Sequence, residues 1–206
     1  MKRKTVFLIV LLALFAIYAH GQQYCPEWDF QVAPVGGGVS VQIVRYIGTN
    51  WTVRIPPRIR NLPVTHIGEG AFNNRNLIAV TIPNSVTHIG WRAFANNQLT
   101  SIIIPNSVIT IQNEAFTNNL LSSIVIGNRV RQLGDGLGFG VFSNNRLTSV
   151  TIPDSVTFIG RFAFHNNQLT TVTIPFASLE EADYAWRVDW RTRAGIPSNV
   201  RILLSL

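Results

Sequence analysis

From Asn61 onward the chain alternates short apolar runs with polar corners at a nearly fixed interval. Segments starting at Leu77, Leu99, Leu121, Leu147 and Leu169 follow one another at spacings of 22, 22, 26 and 22 residues. Leu99-Thr100-Ser101-Ile102-Ile103-Ile104-Pro105-Asn106-Ser107-Val108 matches Leu147-Thr148-Ser149-Val150-Thr151-Ile152-Pro153-Asp154-Ser155-Val156 position by position. Each unit carries an Ile-Gly-like pair (Ile67-Gly68, Ile89-Gly90, Leu133-Gly134, Ile159-Gly160) and a small residue before Phe72, Phe94, Phe116, Phe142 or Phe164. Two places beyond each Phe stands Asn74, Asn96, Asn118, Asn144 or Asn166. Such a register marks a stack of identical supersecondary units.

The period predicts the path of one unit. In Leu-x-x-Val-x-Ile the alternation points Val80 and Ile82 inward and Thr81 outward, giving a short strand. Pro83, Pro105, Pro153 and Pro175 follow at once; proline has no amide for a ladder and suits a strand end. Val86 and Ile89 supply a second inward pair, and Gly90 lets the backbone bend into an Ala-Phe segment read as a short helical turn. The Asn beyond it tolerates left-handed geometry and returns the chain to the next Leu. No coil can bury its own apolar face, so coils must stack in parallel around a spine of the five Phe. The expected fold is a repeat solenoid with one short parallel strand per coil and short helical turns.

The ends need covers. Trp28-Asp29-Phe30, the Gly36-Gly37-Gly38 turn and Val39 to Val44 read as a hairpin-like N-terminal cap, leading to an atypical first coil near Trp51. At the other end Ser178-Leu179-Glu180-Glu181 is a capping box, opening a helix with Leu179, Ala182, Trp186 and Trp190 on one side, and Val200 to Leu206 reads as a strand. The expected divisions are a signal peptide over 1–21, an N-terminal cap over 22–50, the solenoid over 51–175 and a C-terminal cap over 176–206.

Charge changes the picture less than its sum suggests. The formal charge is +7, but Lys2, Arg3 and Lys4 precede the apolar run Val6 to Ala19, which ends in Ala19-His20-Gly21. That is the form of a secretory signal peptide, cut after Gly21, and the run is shorter than the roughly 20 residues that span a bilayer. The remaining balance is 14 basic minus 10 acidic residues, or +4, all of it arginine, and scattered. No nucleic-acid footprint and no stable membrane span after cleavage are expected. Cys25 is the only cysteine, which excludes an intrachain disulfide; it reads as a thiol buried in the cap.

The unit Leu-Thr-Ser-Val-Thr-Ile-Pro-x-Ser-Val-Thr-x-Ile-Gly-x-x-Ala-Phe-x-Asn-Asn resembles the BspA-like leucine-rich repeats of bacterial surface antigens, over about Trp51 to Pro175. Even Asn61 to Gly68 looks like the longer opening repeat of that family. The resemblance implies an exported protein, at the cell surface, in the periplasm or outside the cell, that recognises or adheres to a protein or glycan, host extracellular matrix included. It implies no catalytic residues. Gly127 in the usual Pro place, Gln112 in a Gly place and an expansion around Asp135 to Gly140 depart from the pattern. A structural envelope or assembly subunit, with the stacked scaffold as its purpose, is the alternative.

Candidate chemistry is sparse. His66 and His88 share a repeat position, but the next coils offer Thr110, Gln132 and Phe158 there, and zinc sites need three or four ligands; no metal and no cofactor are expected. There is no Gly-x-Ser-x-Gly elbow, so the reading is not an enzyme. Gly134 to Gly140 lacks the spacing and strand-to-helix context of a phosphate loop and reads as a surface bulge that offers Leu137 and Phe139 as contacts. The outward strand face, from Ala79 and Thr81 through Ile103 and Val125 to Thr171 and Thr173, is flat and nearly uncharged. The positions before Ala-Phe hold Trp91-Arg92 and Arg161-Phe162, residue types enriched at binding hot spots. Trp91, Arg92, Leu137, Phe139, Arg161 and Phe162 are therefore the candidate partner-binding residues.

Overall fold

The computed structural model describes residues 24–135, 139–175 and 190–205. The chain winds as a solenoid of about six coils, and each coil up to the one holding Phe158–Ile159 carries two strands, where the alternation predicts one. The elements begin with β1 (Phe30–Val35), β2 (Ser40–Tyr46), β3 (Thr52–Arg54), β4 (Arg58–Ile59) and β5 (Leu62–Ile67). The coils continue with β6 (Ala79–Thr81) and β7 (His88–Ile89), β8 (Ser101–Ile103) and β9 (Thr110–Ile111), and β10 (Ser123–Val125) and β11 (Gln132–Leu133). They end with β12 (Ser149–Thr151), β13 (Phe158–Ile159), β14 (Thr171–Pro175) and β15 (Arg201–Ser205). From β7 on, the second strand of a coil is only two residues long, too short to betray itself by alternation, yet it joins the longest sheet.

That sheet runs β1-β2-β5-β7-β9-β11-β13, with β4 paired beside β5. Every pairing from β2 to β13 is parallel, and the register places His66 beside His88, then Thr110, Gln132 and Phe158. The first strands form a second column of parallel pairs, β3 on β6, β8 on β10, and β12 on β14 on β15. Between the strand column and the next Leu, the Ala-Phe segment is a hydrogen-bonded turn and not a helix: Ala93 N donates to Gly90 O at 3.2 Å and Ala95 N to Arg92 O at 3.1 Å. The helical turns expected there stop at one turn because each Phe amide bonds the neighbouring coil instead, as Phe94 N does with Ala115 O at 2.8 Å.

Before the coils, β1 and β2 pair antiparallel across the Gly36–Gly38 turn. The β4–β5 hairpin turns through Arg60 and Asn61, both left-handed at φ 51° and 63°, a two-residue geometry matched to the twist of flanking strands. Cys25 is buried, with its Sγ 4.0 Å from Thr52 O. The terminal strand β15 extends the β14 edge in parallel, and a one-turn helix occupies Trp190–Arg193. The capping box at Ser178 lies outside the described residues.

The core is a file of aromatic rings. Phe72, Phe94, Phe116, Phe142 and Phe164 are fully buried, and successive centroids lie 4.9, 5.2, 5.4 and 5.8 Å apart. Tyr46 begins the stack, 5.4 Å from Phe72, so the hairpin supplies a ring where the first coil has no predecessor. Burial holds the Tyr46 hydroxyl at a pKa of about 12, and it bonds Asn50 at both backbone atoms.

Asparagine closes each coil. Asn74, Asn96, Asn118, Asn144 and Asn166 all adopt left-handed backbone near φ 55°. From Asn96 on, their side chains form an exposed ladder, Asn96 Nδ2 donating to Asn73 Oδ1 at 2.9 Å and Asn118, Asn144 and Asn166 each to the Asn one coil back, as Asn118 does to Asn96 Oδ1 at 2.8 Å. The bonding to turn backbone belongs to the next residue. Asn97, Asn119, Asn145 and Asn167 turn inward, and Asn119 Oδ1 accepts from Leu99 N at 3.1 Å while its Nδ2 donates to Phe94 O, Phe116 O and Thr117 O. A buried amide that meets four backbone groups at once removes the desolvation cost those groups would otherwise carry.

Candidate functional site

The corner after the Ile-Gly-like pair is built on a second left-handed file: Gly70, Arg92, Glu114 and Phe162, at φ 57°, 50°, 58° and 57°. Side chains other than Gly and Asn occupy this region at a cost of about 1 kcal/mol or more. Arg92 and Glu114, 22 residues apart, become neighbours when the coils stack. Arg92 Nε lies 2.6 Å from Glu114 Oε2, and the Glu114 side chain is 9% exposed against 41% for Arg92. The Arg92 guanidinium also lies 4.5 Å from the Trp91 ring centroid, an arrangement of the cation–π kind.

Trp91 is 37% exposed. Its indole Nε1 donates to Glu114 Oε1 at 3.4 Å, and its backbone N donates to Gln112 Oε1 at 2.8 Å. Gln112, standing in a Gly place of the repeat, is thus a support for this corner. Glu114 holds one edge of the guanidinium through Nε, and the two terminal nitrogens carry no partner among the described residues. The ensemble presents a flat cation against an indole face, fixed from behind by a largely buried carboxylate.

Three coils on, Arg161 sits 5.4 Å over the Phe162 ring, and Phe162 meets His165 edge-on at 5.4 Å. Phe139 is 66% exposed and precedes Gly140, where any Cβ would collide with the Phe162 carbonyl. Arg161 and Phe162 form one group, with the backbone beside Phe139 running close to it. Leu137 lies outside the described residues. At about 4.8 Å per coil, Trp91-Arg92 and Arg161-Phe162 stand roughly 14 Å apart, on one side of the solenoid but in two groups.

The outward strand face exposes the side chains expected of it from Ala79 to Thr151, including Ile103 and Val125, whereas Thr171 and Thr173 are half-buried on β14, which pairs with β15. His66 and His88 stack face to face at 4.4 Å with rings parallel to 1°, and each Nδ1 lies 2.8 Å from the hydroxyl of the preceding Thr65 or Thr87. Burial first, and then the charge of His88, lower the His66 pKa. Among the described residues no three His, Cys, Asp or Glu side chains gather as a metal site would require, and no helix is long and apolar enough to cross a membrane.

The sequence reading missed Glu114, Gln112 and the inward Asn file. Period arithmetic could have found the first, because a 22-residue column that reads Arg92 then Glu114 places opposite charges side by side. The doubled Asn-Asn in four coils marked the last.

No curated protein matches the chain. Among solved structures, a leucine rich repeat protein of T. pallidum superposes with a TM-score of 0.61 over 87% of this chain and 86% of that one, at 23% identity. That likeness shows the fold. A leucine rich cell surface protein from Faecalibacterium prausnitzii aligns over 74% of this chain and 55% of its own length, at 22% identity and a TM-score of 0.47. A leucine-rich repeat protein from Bacteroides capillosus gives 71% and 94%, at 26% identity and a TM-score of 0.43. The BspA type leucine rich repeat region matches residues 65–186 in six copies. With more than half of its length accounted for by those copies, and with the coil geometry the repeat demands, the chain belongs to the BspA type leucine rich repeat family.

Proposed function

We propose that the protein is an exported, non-enzymatic recognition or adhesion module that binds a protein or glycan through its repeat scaffold. The observation that carries this reading is the Trp91-Arg92-Glu114 corner: a guanidinium with two unengaged nitrogens, stacked on a half-exposed indole, held in a strained backbone by a stack that cannot flex locally. Strain retained at a surface position accompanies function more often than packing. The family, and the signal-peptide form of residues 1–21, support export and an extracellular role. The division into cap, solenoid and cap over 22–50, 51–175 and 176–206 belongs to the same reading. The structural-subunit alternative draws on the exposed Ile103 and Val125, a small apolar strip suited to packing against another chain.

Capture of the mature protein on host extracellular matrix, with its own cell envelope in parallel, separates the two. Saturable binding to matrix is expected; binding to envelope alone favours the structural subunit, and binding to neither removes adhesion. Trp91→Ala with Arg92→Ala, combined with Glu114→Gln so that no carboxylate is stranded, should weaken matrix binding by more than about 2 kcal/mol. If replacing Thr81, Ser101 and Thr151 abolishes binding and the corner variant does not, the strand face is the site.

A further inference from the structure

One coil breaks the repeat at three places in succession. Where the coils that start at Leu77, Leu99 and Leu147 read Pro-Asn/Asp-Ser-Val-Thr/Ile, this one reads Gly127-Asn128-Arg129-Val130-Arg131. Gly127 packs so closely on Pro105 O that no side chain fits there, which accounts for the missing proline. Val130 is fully buried, so Arg129 and Arg131, one place to either side, both face outward. Both are exposed, and neither guanidinium has a hydrogen-bond or ion-pair partner among the described residues.

The two arginines line a cleft of about 560 Å³ that crosses three coils, with Ile109 on one side and Asp154, Ser155 and Thr157 on the other. The wall is mostly spoken for by backbone. Arg131 N donates to Ile109 O, and Thr157 N and Oγ1 both donate to Arg131 O, so the cleft floor is rigid. Asn128 N is satisfied by Asn106 Oδ1 at 3.0 Å, which leaves the Asn128 side chain available. Ser155 Oγ is buried without a partner in the protein. Ser85 and Ser107 share that feature at the same repeat position, so it belongs to the repeat and not to this cleft alone.

We propose that this cleft is a binding site for a carboxylate-bearing sugar, a uronate or sialate residue of a glycan. Two outward guanidiniums in one rigid turn suit bidentate capture of a carboxylate. Asn128 and Asp154 add a donor and acceptors for hydroxyl groups, and Ile109 offers an apolar patch to a ring's C–H face. Asp154 argues against a dense polyanion, because a string of sulfates or phosphates would meet its charge, whereas a sugar hydroxyl donates to it. An acidic peptide has no use for so many hydroxyl partners. The proposal rests on the recognition reading above and gives it a second, separate surface, since Arg129 and Arg131 lie on the turn after the first strand and not on the Trp91 corner.

The test is titration of the mature protein with oligosaccharides ending in glucuronate, galacturonate or sialate, each beside its carboxyl-reduced form and beside a glutamate-rich peptide of equal charge. Saturable binding to at least one acidic sugar is expected, weakened at least about tenfold by carboxyl reduction and by R129Q/R131Q, with unchanged urea midpoints because both arginines are exposed. Asp154→Ala should weaken the same sugar; a gain in affinity would mean that general negative charge is being read, and would overturn the ligand class. Equal binding of the reduced sugar or of the peptide would overturn it too. Binding that survives R129Q/R131Q overturns the cleft. No saturable binding to any acidic sugar overturns the proposal outright, while the matrix capture, read independently, still decides the recognition role.

Discussion

The two left-handed corners that most of the coils carry solve one backbone problem with opposite economies. At the corner after Phe, the residue near φ 55° is asparagine in coil after coil: Asn74, Asn96, Asn118, Asn144 and Asn166. Asparagine tolerates this region at little cost and adds a ladder bond. At the corner before Ala-Phe the equivalent residues are Gly70, Arg92, Glu114 and Phe162. Three of these carry side chains that the conformation disfavours by about 1 kcal/mol. The first corner is uniform because closure of the coil is its whole task. The second varies because its side chains face outward, or pair with one that does.

The largest expected loss comes from what both corners share. Phe116→Ala opens the middle of the ring file and should cost about 3 to 5 kcal/mol in urea melts, more than Phe72→Ala, which lies next to the Tyr46 cap. Equal and negligible losses would break the stacked-coil account.

Next comes the contrast within one asparagine pair. Asn119→Ala leaves the buried Leu99 N without its acceptor and removes one of the two donors that meet each of Phe94 O, Phe116 O and Thr117 O, and should cost about 2 to 3 kcal/mol. Asn118→Ala loses two exposed ladder bonds and the left-handed tolerance, roughly 1 kcal/mol. Comparable losses would mean that the inward file is not the closure device.

A smaller effect sharpens the difference between corners. Arg92→Gly relieves strain but leaves Glu114 buried beside no cation, and should destabilise by about 1 to 3 kcal/mol, recovered by adding Glu114→Gln. Phe162→Gly has no such partner, and its urea midpoint should stay within about 0.5 kcal/mol of the parent or rise. A clear loss in Phe162→Gly would show that this corner is structural after all.

The smallest effect is a pH slope. The His66 pKa is lowered in the folded state, by burial first and by His88 second, so the unfolded chain binds more protons below about pH 6.5. Stability should therefore fall as pH drops through 6.5 toward 5, modestly because the ring is partly solvated. His66→Asn should flatten that slope in melts at pH 7 and pH 5.

The coil was legible in the sequence because its rules are periodic. Phe72 to Phe164 recur in register, Val80 and Ile82 alternate, and five Asn mark the left-handed corner. What stayed hidden was not periodic along the chain. The two-residue strands such as His88–Ile89 are too short for alternation to show, and the ladder that makes them strands exists only between coils. The same holds for the candidate site. Trp91 and Arg92 were visible as residue types, but Glu114 acquires its meaning only when the period is folded into distance, and Arg129 with Arg131 looked like scattered charge until one cleft contained both.

The inward asparagines also give the stack a direction in time. The amide of Leu77 is met by Asn97, that of Leu99 by Asn119, that of Leu121 by Asn145 and that of Leu147 by Asn167. Each coil is therefore latched by a residue 20 to 24 positions further along the chain. A polypeptide emerging N-terminus first, from a ribosome or an export channel, cannot fasten its newest coil until the next has followed. Order then advances one coil behind emergence, and the newest coil stays unlatched while the coils made before it are already fixed.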